Sequence, residues 1–178
     1  MDATFYKILK TSRGMLYSYY QRAPTADALS SLDPNDPPLP ALLFLHGFPT
    51  SSRLWKHQIS FFLERGFTVC APDLLGLGNT SKPTETDAYR SSLICKDIIE
   101  ILEAEGLDRV IAIGHDLLSI RPTIFVTFWP FKSVWLVVAP KLSPAWPISF
   151  QSVLLHMHFW LHLTLHHVQC QRSIILSE

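Results

Sequence analysis

Three apolar runs of strand length constrain the fold of this chain more than any other feature. ALLFL at 41–45 is apolar throughout, whereas FTVCA at 67–71 and RVIAI at 109–113 each contain one polar residue. A strand that is apolar at every position is typical of a parallel sheet, because helices cover both faces of such a sheet. Residues 53–64 and 91–105 lie between the runs, and both have apolar positions at helical spacing. Strands that alternate with helices predict an α/β fold with a mainly parallel sheet.

The segment before the first run predicts an antiparallel hairpin. TFYKILK at 4–10 and GMLYSYYQ at 14–21 are rich in β-forming residues, and a short turn that ends at Gly14 separates them. Residues 23–40 are rich in Pro, Asp and Ser, and we expect them to form a polar loop.

The composition changes abruptly after Asp116. All seven glycines lie at or before Gly114, Glu178 is the one acid among the last 62 residues, and four of the five tryptophans fall in that tail. We therefore divide the chain into residues 1–116, the first part of an α/β core, and residues 117–178, a divergent apolar tail without a recognisable fold. Such a change is explained most simply if the tail is the product of a shifted reading frame or a retained intron and is fused to a genuine half-domain.

Charge and cysteine content exclude several classes of function. Fifteen basic and fifteen acidic residues balance, so nothing favours nucleic acid or an anionic membrane surface as a partner. Three cysteines without a C-x-x-C pair predict neither a disulfide framework nor a zinc site. The N-terminus has no secretory signal pattern, and ILSE at the C-terminus is not a peroxisomal signal, so cytoplasm is the default localisation.

Three motifs follow the three apolar runs: HGFP at 46–49, PDLLGLGNTSKP at 72–83 and GHD at 114–116. In open α/β sheets the reaction crevice lies at the carboxyl ends of the strands, where all three motifs begin. Gly47 lets the backbone approach a ligand closely, and the Phe48 N–H can then point at a developing oxyanion. Gly114 precedes Asp116 by two positions, as the pattern of a nucleophile elbow requires.

The remaining members of the motifs have structural interpretations. Asp73, with Gly76 and Gly78, is expected to shape a turn beside the same edge; two glycines without a third are no phosphate fingerprint, so no cofactor is predicted. His46, Pro49 and His115 complete the motifs as structural positions. Taken singly, HGFP is equally compatible with an ordinary strand-to-helix turn. Only the three motifs together, in this order and each after a strand, indicate a specific active site.

The succession of HGFP, PDLLGLGNTSKP and GHD resembles the epoxide hydrolase branch of the α/β-hydrolase superfamily. DAYRSSLICKDIIEILEAEGLDRVIAIGHD at 87–116 resembles its fungal members, and the resemblance covers residues 4–116. It implies an α/β-hydrolase fold with the N-terminal half of its sheet, Asp116 as the nucleophile, an oxyanion hole formed by the backbone amides of Phe48 and Leu117, and a cis Phe48–Pro49 bond. The implied substrate is a small apolar epoxide, and fungal relatives suggest lipid-derived, xenobiotic or secondary-metabolite epoxides.

The chain departs from the family pattern after Asp116. The family has Trp-Gly where this sequence has Leu117 and Leu118, and a leucine in place of glycine is expected to strain a tight elbow. The family also supplies an acid and a histidine late in the chain and two tyrosines in a helical cap, but no tyrosine follows Tyr89. We therefore expect a truncated hydrolase that forms an alkyl-enzyme ester and turns over poorly.

Two alternatives remain open. A haloalkane or haloacid dehalogenase would use the same carboxylate nucleophile on a halogenated substrate. A non-enzymatic fragment would instead use its apolar tail to bind membranes or partner proteins. His158, His162 and His166 recur at helical spacing in the tail, but without a nearby carboxylate or cysteine they do not predict a metal site. Residues 147–168 make a poor membrane span because they include five histidines. The oligomeric state is left open.

Overall fold

The computed structural model describes residues 1–35 and 38–114, together with the backbone of 134–138. These residues contain six strands: β1 (Tyr6–Lys10), β2 (Leu16–Arg22), β3 (Ala41–Leu45), β4 (Val69–Pro72), β5 (Val110–Gly114) and β6 (Val134–Val138). They form one sheet in the order β1-β2-β4-β3-β5-β6. The predicted α/β fold is confirmed for the described part of the chain.

The sheet is antiparallel at one side and parallel across the rest. β1 and β2 form the predicted hairpin, with Tyr6 opposite Tyr20, and β2 runs antiparallel to β4. β4, β3, β5 and β6 are parallel neighbours. The central strand β3 is therefore flanked by two parallel strands, which explains why all five of its residues are buried.

Three α-helices are described: α1 (Ala26–Ser30), α2 (Lys56–Leu63) and α3 (Ser91–Ala104). The helix predicted over residues 53–64 consists of a 3-10 segment, Ser52–Trp55, that continues into α2. The predicted polar loop over residues 23–40 contains α1, a single short helix begun by Thr25, whose hydroxyl accepts the Ala28 N–H at 3.3 Å. This turn is too short to produce a helical pattern in the sequence, so the expectation of an unbroken loop was wrong.

Alternate residues of β3 face two different cores, one on each side of the sheet. Leu43 and Leu45 belong to the core that also contains Ile98 and Ile101 of α3. The ring of Phe44 packs on the other side, and its centroid lies 5.2 Å from that of Trp55 and 6.0 Å from that of Phe62 in α2. The side chains that make up this second core are fully buried, so helices on both sides shield the central strand.

Polar contacts fasten the hairpin to α3. The fully buried Asp97 carboxylate accepts hydrogen bonds from the Arg13 guanidinium and from the Tyr17 hydroxyl, the latter at 2.9 Å. Nearer the end of the helix, the Glu105 carboxylate accepts from Lys7 Nζ at 2.7 Å and from the Tyr19 hydroxyl at 2.6 Å. Burial and the Asp97 carboxylate raise the pKa of Tyr17, so its hydroxyl keeps the proton it donates.

Strand β6 lies beyond the boundary predicted at residue 116. It continues the parallel sheet in an unbroken register with β5, from Val110 opposite Val134 to Gly114 opposite Val138. The boundary itself stays a prediction, but these five residues of the predicted tail belong to the sheet. Among the residues described, no helix combines the length and the apolar character that a bilayer crossing requires. Residues 147–168 and the three regularly spaced tail histidines lie outside the described residues.

Candidate active site

The register of the sheet brings the starts of the predicted motifs to one edge. Leu45, the last residue of β3, pairs with Gly114, the last residue of β5. Leu43 pairs with Cys70, so β3 and β4 each extend two residues further and end at the same level. HGFP, the loop after β4 and the segment after Gly114 therefore leave the sheet side by side. His115, Asp116 and Leu117 lie outside the described residues, and their predicted roles stay predictions.

His46 links the first two motifs. Its side chain is fully buried, and its Nε2 accepts the backbone N–H of Leu74 at 2.9 Å. An accepting Nε2 carries no proton, so in the neutral ring Nδ1 is the protonated atom and donates to the Gly47 carbonyl, 2.9 Å away. Burial lowers the pKa of His46, which favours this neutral form. The ring is thus a fixed connection between the two loops, and its lone pair is already engaged.

Asp73 organises the loop after β4. Its Oδ1 accepts the Ser52 N–H at 2.8 Å and its Oδ2 accepts the Asn79 N–H at 3.1 Å. Gly78 makes this arrangement possible, because its φ is +51° and a Cβ built there would lie 2.1 Å from Asp73 Oδ2. The carboxylate is therefore committed to backbone amides, and it joins the start of the Ser52–Trp55 segment to the turn around Gly78.

The Phe48 N–H is the backbone donor of interest in the Gly47–Pro49 stretch. The Phe48–Pro49 bond is cis, as the resemblance implied. The Gly47 carbonyl accepts the Thr50 N–H at 3.1 Å and the Thr50 hydroxyl at 2.7 Å, while none of the described residues accepts a hydrogen bond from the Phe48 N–H. The Phe48 side chain is 63% exposed. A free amide donor at the carboxyl edge of the sheet suits an oxyanion site.

Sequence reasoning missed several polar residues that hold these loops. The buried Ser52 hydroxyl lies 2.9 Å from the Tyr6 hydroxyl. Thr80 is also buried; its hydroxyl donates to the Asp73 carbonyl at 2.6 Å and accepts the Ser18 N–H at 3.0 Å. The small polar residues that surround both glycine motifs were the available signal, although their partners lie far away in the sequence.

Neither a metal nor a thiol nucleophile is indicated by the part of the chain that the structure describes. No group of three potential metal ligands occurs within it. Cys70 and Cys95 are both buried and free. Burial raises the pKa of Cys95 to about 11 and raises that of Cys70 further, so both thiols stay protonated.

The burial of His46 predicts a pH-dependent stability. Because its folded-state pKa lies below the ordinary value, the unfolded chain binds a proton first as the pH falls. The stabilisation is present above about pH 6.5, and it is lost as the pH falls from there through the folded-state pKa. We expect the free energy of unfolding to fall less steeply between pH 7 and 5 in His46→Gln than in the parent chain. Urea titrations at several pH values measure this difference, and parallel pH profiles would contradict it.

Comparison with known proteins relates part of this chain to α/β hydrolases. Residues 40–117 match the family model described as alpha/beta hydrolase fold. Epoxide hydrolase 2 of Siraitia grosvenorii is 38% identical over 98 residues, which are 55% of this chain and 31% of that protein. The bifunctional epoxide hydrolase 2 of Mus musculus is 36% identical over 117 residues, 65% of this chain and 21% of that protein. The chain thus spans less than a third of the length of these relatives.

Solved structures give the same result for the fold. A Vigna radiata epoxide hydrolase mutant superposes with a TM-score of 0.62 at 28% identity, over 78% of this chain and 40% of that one. An epoxide hydrolase of the α/β hydrolase superfamily from hot-environment metagenomes also gives 0.62, at 29% identity, over 79% of this chain and 43% of that one. The chain therefore has the α/β hydrolase fold that these epoxide hydrolase structures share.

Proposed function

We propose that this chain, an epoxide hydrolase-like protein with the α/β hydrolase fold, attacks small epoxides with the carboxylate of Asp116. One observation carries the proposal: Leu45 pairs with Gly114, so the HGFP loop begins beside the strand end that leads to Asp116. The Phe48 amide in that loop has no acceptor among the described residues. The curated relatives that match this part of the chain are epoxide hydrolases, which favours an epoxide as the electrophile.

The chemistry proceeds in two steps. An Asp116 oxygen attacks an epoxide carbon, the ring C–O bond breaks, and the released alkoxide takes up a proton, leaving an alkyl ester on the enzyme. Water then adds to the ester carbonyl, and the Phe48 N–H stabilises the oxyanion that forms before the diol departs. This second step needs a general base. Residues 117–178 contain histidines but a single acid, Glu178, that could orient one of them as the base, so we propose that the ester accumulates.

Intact mass spectrometry of the full chain after incubation with styrene oxide tests the proposal. We expect the mass to increase by one epoxide molecule and peptide mapping to locate the ester on Asp116. Asp116→Asn is the matched control, because the amide has nearly the same shape and is a poor nucleophile. Equal labelling of the parent and the variant, or no labelling of either, would overturn the assignment of the nucleophile.

Two further readouts separate the competing interpretations. Steady diol release that Asp116→Asn abolishes would retain the nucleophile and refute the accumulation of ester. Halide release from a chlorinated alkane, without reaction of the epoxide, would indicate that the substrates are organohalogens and that the chain is a dehalogenase.

A further inference from the structure

We propose that His46 and Thr50 are positioning residues, which aim the Phe48 amide by holding the carbonyl at the opposite end of the same peptide unit. The hydrogen-bond arrangement is independent of any activity, whereas its catalytic meaning rests on the proposed function. Neither side chain is required to touch the substrate.

The argument begins with the geometry of one peptide group. The Gly47 carbonyl and the Phe48 N–H belong to a single planar unit, and in a trans peptide they point in opposite directions. The Gly47–Phe48 bond is trans, and the cis bond at this site is the following one, Phe48–Pro49. Any contact that fixes the direction of the Gly47 carbonyl therefore fixes the direction of the Phe48 N–H as well.

Three donors converge on the Gly47 carbonyl oxygen. They are His46 Nδ1 at 2.9 Å, the Thr50 N–H at 3.1 Å and Thr50 Oγ1 at 2.7 Å. A carbonyl oxygen has two lone pairs, so three donors saturate it. The Leu74 N–H occupies His46 Nε2 at 2.9 Å and thereby makes Nδ1 the donating nitrogen. The loop after β4 thus specifies the tautomer that holds this carbonyl in HGFP.

The two ends of this peptide differ in a way that a purely structural turn does not require. The carbonyl end is saturated, whereas the N–H end has no acceptor within the described residues. Donors to a carbonyl also polarise the peptide and strengthen its N–H as a donor, because hydrogen bonds in a chain reinforce one another. His46 and Thr50 thus form a clamp on the Gly47 carbonyl. This clamp both orients the Phe48 amide and strengthens it as a donor to a negatively charged acceptor.

Thr50 offers a matched pair of substitutions. Thr50→Val removes the hydroxyl and retains the branched shape and the backbone N–H. Thr50→Ser retains the hydroxyl. If Thr50 acts through its hydroxyl on the Gly47 carbonyl, the serine variant behaves like the parent and the valine variant does not. If Thr50 acts only through its shape, the order is reversed.

The first test is an NMR measurement on the full chain, and it requires no activity. In the parent chain we expect the ¹⁵N shifts of His46 to show a neutral ring protonated at Nδ1. We also expect Thr50→Val to move the Phe48 amide proton upfield, with Thr50→Ser close to the parent. A ring protonated at Nε2 would overturn the proposal, even if the valine variant did not fold. An unchanged Phe48 amide in a folded Thr50→Val chain would also overturn it.

The second test uses the ester from the proposed reaction. Because an oxyanion forms during ester hydrolysis, Thr50→Val should slow hydrolysis about tenfold relative to ester formation, a fraction of the effect of deleting an oxyanion donor. Thr50→Ser should retain the parent ratio of the two rates, and equal ratios in all three chains would overturn the catalytic role. If no ester forms in the parent chain, the proposed function fails, while the NMR result still decides whether the clamp exists.

Discussion

Asp97→Ala is expected to lower the free energy of unfolding by about 3 kcal/mol, because it removes the carboxylate of a buried ion pair and leaves the Arg13 charge uncompensated. The Asp97 side chain is fully buried, and the Arg13 side chain is 18% exposed. Partial access of Arg13 to water places the effect at the lower end of the range for buried pairs. Tyr17, fully buried, would lose the acceptor of its hydroxyl at the same time.

Two control variants separate the contributions to this effect. Tyr17→Phe deletes one neutral donor and leaves the Arg13–Asp97 pair intact, so a loss of about 1 kcal/mol is expected. Asp97→Asn retains an acceptor and the side-chain volume, and its stability should lie between those of the other two. Urea unfolding followed by circular dichroism gives all three values. A loss in Asp97→Ala no larger than that in Tyr17→Phe would show that the ion pair contributes nothing to stability.

Gly78→Ala is expected to lower the free energy of unfolding by a similar amount, about 3 kcal/mol, for a different reason. A left-handed backbone conformation costs a non-glycine residue about 1–2 kcal/mol. The new Cβ would also lie 2.1 Å from Asp73 Oδ2, so the carboxylate must move away from the amides of Ser52 and Asn79. The buried Ser52 amide, once it loses this acceptor, adds about 1–3 kcal/mol.

Gly106→Ala is the matched control for Gly78→Ala. Gly106 also has a positive φ, +63°, but a Cβ built there meets nothing within 4 Å. It therefore isolates the backbone contribution, expected to be about 1 kcal/mol. Thermal and urea unfolding of both variants measure the difference. Equal losses in the two variants would mean that Asp73 tolerates displacement and that its amide contacts do not stabilise the loop.

Most of the regular elements were predictable because their signals are local. β3 and β5 are apolar at every position since each is buried on both faces, and α3 shows its apolar stripe within 14 residues. The helix α1 was not predictable, because one five-residue turn capped by Thr25 has no period to detect. β6 was missed because the apolar composition of the surrounding tail obscured a five-residue strand.

The places of HGFP and Asp73 at the ends of strands were predictable, whereas the hydrogen bonds that connect them were not. HGFP, Asp73 and the two glycines after it were located by their place at the ends of apolar runs. The hydrogen bonds that fix them join residues 21 and 28 positions apart, Ser52 to Asp73 and His46 to Leu74. Such pairings depend on how the loops fold against each other, and a single sequence does not specify them. Thr50 went unnoticed although its partner, the Gly47 carbonyl, lies only three positions away.

The polar links between the hairpin and α3 have a consequence for the order in which the chain acquires its structure. Lys7 meets Glu105 across 98 positions, and Arg13 meets Asp97 across 84. Closing segments of this length costs entropy before any contact offsets it, so folding is slow when such contacts dominate. During synthesis the hairpin leaves the ribosome before α3, and it lacks these contacts with α3 until residue 105 has emerged. For that interval its edge and apolar face are open to other chains, which makes this hairpin the segment that chaperones would need to shield.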